Sequence, residues 1–67
     1  MHKAIPEQKP ILAQFATAQA ALDHKAAHGG WIFIRDDSSR ATWFDAAWFT
    51  PSAIMRHPAA HGSGRLI

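Results

Sequence analysis

The chain has 67 residues, no cysteine and a formal net charge of +2. Without cysteine there are no disulfides and no thiolate zinc sites. A chain this short makes one domain, whose hydrophobic burial barely outweighs the conformational entropy lost on folding. The pI near 9.7 rests on seven Lys/Arg against five Asp/Glu, a surplus too small to argue for nucleic acid by itself.

No apolar run approaches the roughly 18 to 20 residues that span a bilayer. The opening MHKAIPEQKP lacks an h-region and a signal-cleavage pattern. The expectation is a soluble, cytoplasmic chain with no membrane partner.

In chain order, residues 1–9 read as a loose N-terminal arm. Pro10 suits the first position of a helix, where its missing N–H costs nothing. An alanine-rich stretch without breakers then runs to Gly29-Gly30, a C-terminal stop signal. Ile11, Phe15, Ala18 and Leu22 recur at helical spacing, widened by Leu12 and Ala16. Gln14, Thr17, Ala21 and His24 fall away from that stripe. Such a narrow, alanine-rich stripe fits close against a neighbour. The expected neighbour is the chain's own hairpin, with a seam between two copies as the alternative.

WIFIRDD, the turn-rich DDSSR and ATWF read together as a two-stranded antiparallel β-hairpin. With Ser38-Ser39 at its tip, Arg35 faces Thr42, Ile34 faces Trp43, and Phe33 faces Phe44. Alternation puts Ile32, Ile34 and Trp43 on one face, and Trp31, Phe33 and Phe44 on the other. Both faces are apolar, so the hairpin needs two covers. The first helix supplies one. The C-terminal segment, another subunit or a ligand supplies the second. Two strands alone leave open edges, and pairing of two hairpins in a symmetric dimer completes the sheet.

Beyond the hairpin, Asp45 can cap a short turn reaching Trp48. Thr50 and Pro51 then start a helix of about two turns, as hydroxyl N-cap and first-position proline. Ile54 and Met55 are its apolar contacts, and Pro58 ends it. Residues 59–67 read as a flexible C-terminal tail, in which RLI can add a strand. The expected architecture is α+β over residues 10–58: a long N-terminal helix, a hairpin and a short C-terminal helix.

The chemistry-bearing residues are few. His24 and His28 stand four apart, as do His57 and His61, and four imidazoles can hold zinc. Pro58 splits the second pair, however, and Gly29 ends the first helix beside His28. A cationic last turn formed by His24, Lys25 and His28 explains the first pair through the helix dipole. No metal or cofactor is therefore expected. No nucleophile motif or phosphate loop occurs, and Asp36-Asp37 reads as a solvated turn. The chain is not expected to be an enzyme.

Three tryptophans beside arginines match the residues that dominate protein interfaces. The sequence thus reads as a small interaction or regulatory module. It is expected to self-associate as a homodimer and to bind another macromolecule through Trp31, Arg35, Arg40, Trp43 and Trp48. The core is assigned to Phe33, Ile34 and Phe44. The alternative is a single-stranded nucleic-acid binder, with the arginines on phosphate and the tryptophans stacked on bases.

Overall fold

A computed structural model describes residues 10–67. The arm expected over residues 1–9 lies outside the described residues. Seven short elements follow one another: strand β1 (Leu12–Phe15), helix α1 (Ala18–His28), strands β2 (Trp31–Arg35) and β3 (Ala41–Phe44), helix α2 (Pro51–Met55), a 3-10 turn (Pro58–Ala60) and strand β4 (Gly64–Leu66). The strands form one four-stranded antiparallel sheet in the order β1-β3-β2-β4.

The fold is α+β, but several expectations change. The long helix from Pro10 is replaced by β1 followed by an eleven-residue helix. Tertiary pairing overrides the helical spacing here, because Leu12 to Phe15 register against Phe44 to Ala41 and supply β3 with its second ladder. Thr17 is the true N-cap, its hydroxyl accepting the Ala20 N–H. The helix stripe therefore shifts. Ala21, expected on the far side, is the buried residue at its centre, with Ala18, Leu22 and Lys25 flanking it at helical spacing.

The second change concerns the sheet edges. Pairing to β1 and β4 within the chain takes up both edges of the hairpin, so the sheet has four strands without a second copy. The tail supplies β4, and the Ile67 and Ile32 backbones exchange hydrogen bonds of 2.8 and 2.9 Å beyond it.

Hairpin register also differs. Ile32 faces Trp43, Phe33 faces Thr42, and Ile34 faces Ala41. This is a slip of two positions, which equals the side-chain period and leaves every residue on its expected face. Under α1, Ile32, Trp43, Ala41 and Ala21 form one buried cluster, with Phe15, Leu22 and Ile34 against it. On the other face, Phe33, Phe44, Ile54 and Ala60 form the second, flanked by Leu12, Trp31, Phe49 and Leu66. Phe33 and Phe44 are fully buried, as expected of core residues, while Ile34 is only half-buried. The second cover is the C-terminal segment.

That cover starts at the expected place. Asp45 closes the turn through its carboxylate to the Ala47 N–H at 2.8 Å. The Thr50 hydroxyl then accepts the Ala53 N–H, with Pro51 in the first turn of α2. The helix is shorter than expected, and Pro58 opens a separate 3-10 turn. Ile54 reaches the core, but Met55 points outward and is 51% exposed. No helix among the described residues is long and apolar enough to cross a membrane.

Candidate functional site

The C-terminal cover is too short to roof its whole face of the sheet. It lies over Phe33 and Phe44 and stops at Pro58 and Ala59, leaving the hairpin-loop end open. There a half-open cleft of about 580 Å³ runs between the loop, the end of β1 and the 3-10 turn. Gln14 and Thr42, paired across β1 and β3, and Arg35 at the end of β2 share the face of the sheet that floors it. Arg40, Asp37 and Ser38 come from the loop, and Pro58 and Ala59 form an apolar wall.

Hydrogen bonds on both sides pin the loop. The Ser39 hydroxyl donates to the Ala16 carbonyl at 2.9 Å, tying the loop to the end of β1. Asp36 donates its backbone N–H to the Ser63 carbonyl at 3.0 Å and accepts the Ser63 hydroxyl at 2.6 Å. Within the loop, the Arg40 N–H reaches the Ser38 hydroxyl oxygen at 3.2 Å. Arg35 approaches Asp37 at 3.4 Å through its Nε. This pair is exposed enough to contribute little to stability. Arg40 has no ion-pair partner among the described residues.

Thr42 is the buried polar side chain of the core, at 6% exposure. Its hydroxyl has no hydrogen-bond partner among the described residues, and no buried polar side-chain atom is left orphaned. Thr42 lines the cleft from its floor.

The structure separates the five residues expected to make contacts. Arg35 and Arg40 meet at the cleft. Trp31 is half-buried at the opposite end of the sheet, level with Phe44. Trp48 follows Asp45 beyond that same end and is 69% exposed. Trp43 lies under α1 at 4% exposure, its indole N–H donating to the Gly29 carbonyl. Gln14, Thr42 and Ser38 complete the cleft and were not singled out by the sequence. The one signal was a threonine inside the otherwise apolar ATWF strand.

The histidines divide likewise. His24 meets Trp43 edge to face with ring centroids 4.4 Å apart and lies 4.3 Å from His28, on the α1 face. Burial, and then the charge of His28, pushes the His24 imidazole below its usual pKa. His57 packs on Phe44 and Phe49 across the sheet, its Nδ1 accepting the Ala59 N–H. The sheet thus stands between the two pairs. No group of three or more potential metal ligands gathers among the described residues. A smaller hollow of about 340 Å³ lies beside His24, His28, Trp43 and Asp45. Compared with known proteins, the chain matches no family, no curated protein and no solved structure.

Proposed function

We propose that this chain is a small non-catalytic interaction module that binds another macromolecule at the loop end of its hairpin, with Arg35 and Arg40 as principal contacts. The observation that carries the reading is the cleft itself: two arginines and a threonine, around a loop tied to β1 and to Ser63. A loop backbone fixed before binding loses less entropy when a partner arrives.

Self-association belongs to the same reading. Its support comes from Trp48 and Met55, large apolar side chains exposed at 69% and 51%. Light scattering at high micromolar concentration is expected to report a dimer, and a monomer removes this part of the proposal.

Binding is tested by comparing what the wild-type chain and an Arg35→Gln/Arg40→Gln variant retain from cell extract. A macromolecule held by the first and released by the second is expected, with amide resonances of Arg40 and Thr42 shifting when it binds. Retention indifferent to both arginines overturns the reading.

A further inference from the structure

Resting on that reading, we infer that the cleft takes an extended peptide segment presenting a single carboxylate, which binds the Arg35 and Arg40 guanidiniums while the Thr42 hydroxyl bonds an adjacent peptide group. Charge comes first. The cleft lining holds Arg35 and Arg40 against the single carboxylate of Asp37, a surplus of one positive charge among the lining residues. One surplus charge matches one carboxylate, and it is weak footing for a polyanion whose affinity grows with each phosphate neutralised.

Geometry agrees. A guanidinium presents parallel donors that fit a carboxylate bidentately. Asp37 engages Arg35 through Nε, and one terminal nitrogen lies beside Gly62, so neither terminal nitrogen has an ion-pair partner among the described residues. The volume of about 580 Å³ lies within the range of roughly 300–1,000 Å³ usual for ligand sites. Gln14 and Thr42 offer side-chain hydrogen bonds, and Ala41, Pro58 and Ala59 offer apolar contact.

Single-stranded nucleic acid would need a stacking surface next to the cations. Trp31 and Trp48 lie at the opposite end of the sheet, and Trp43 is covered by α1. Phe15 lines the cleft, but it is packed into the α1-side cluster and against His24. A peptide needs no such surface.

Random peptides displayed on phage are selected on the immobilised chain, and recovered peptides are measured by fluorescence anisotropy. The expected pool carries one Asp or Glu, and replacing that acid by its amide weakens binding about tenfold or more. Arg40→Gln produces the same loss with an unchanged circular dichroism spectrum, Arg40 being exposed. Asp37→Asn tightens binding, because it removes the carboxylate that competes for Arg35. Peptides without an acid, or peptides indifferent to both variants, overturn the inference. A fluorescent single-stranded oligonucleotide forms the second arm. If it shifts the Arg40 and Thr42 amides and no peptide does, the peptide inference fails while the cleft remains a binding site. If neither ligand shifts them, both fail.

Discussion

Gly29 and Gly30 offer a pair of substitutions that separates backbone strain from packing. Gly29 caps α1 at φ 74° and ψ −161°, a region almost restricted to glycine, and a Cβ there meets nothing within 4 Å. Gly29→Ala is therefore expected to cost about 1–3 kcal/mol, from conformation alone. Gly30 has φ 94°, and its Cβ would collide with the Phe44 carbonyl and stand 2.6 Å from the Trp43 indole nitrogen. Left-handed strain adds about 1–2 kcal/mol, and overpacking about 1–3 kcal/mol. Loss of the indole bond to Gly29 adds about 1 kcal/mol. The expected cost of about 3–6 kcal/mol compares with a total stability of about 3–10 kcal/mol for 67 residues. Urea denaturation followed by far-UV circular dichroism measures both variants, and equal slopes license the comparison. Equal costs for the two alanines would refute the close approach of β3 to the end of α1.

Thr17→Ala tests where α1 begins. As an N-cap its loss costs about 1 kcal/mol, whereas inside a continuous helix from Pro10 alanine would stabilise; thermal melts give the sign. Ile54→Ala should cost about 2–5 kcal/mol by hollowing the second core cluster, enough to unfold part of the population at room temperature in a urea titration. Because His24 titrates below its usual 6.5 in the folded chain, the unfolded chain binds that proton more readily. Stability is therefore held above about pH 6.5 and declines as pH falls through it. His24→Phe should flatten the decline, read as the change in urea midpoint between about pH 7.5 and pH 5.5; an identical pH profile would remove His24 as its source.

Features encoded within a few residues were readable from the sequence, and those set by distant pairing were not. The Asp45 turn, the Thr50-Pro51 helix start and the glycine stop of α1 each depend on neighbours one to four positions away. Face assignment in the hairpin survived a wrong register because alternation repeats every second residue. Leu12–Phe15 were misread because Ile11, Phe15, Ala18 and Leu22 match a helical period. Four residues of strand alternation are too few to compete with it. Their strand state is decided by β3, some thirty positions later. The same holds for the site. Arg35 and Arg40 could be placed together from the hairpin alone. Gln14 joins them only through β1, and Thr42 was hidden among apolar neighbours. Strand length then carried Trp31 and Trp48 away from the arginines, and Trp43 turned to the other face.

The direction in which the two ends of the sheet point has a practical use. Ile11 meets Asp45, and Ile67 meets Ile32, both at the end of the sheet remote from the arginines. Three strand spacings of about 4.8 Å put these two exit points roughly 14 Å apart. A surface anchor, fluorophore or fused carrier attached after residue 67 departs away from the cleft and leaves its mouth open. The same arrangement leaves Arg35 and Arg40 pointing away from both exit points, like the tip of a probe.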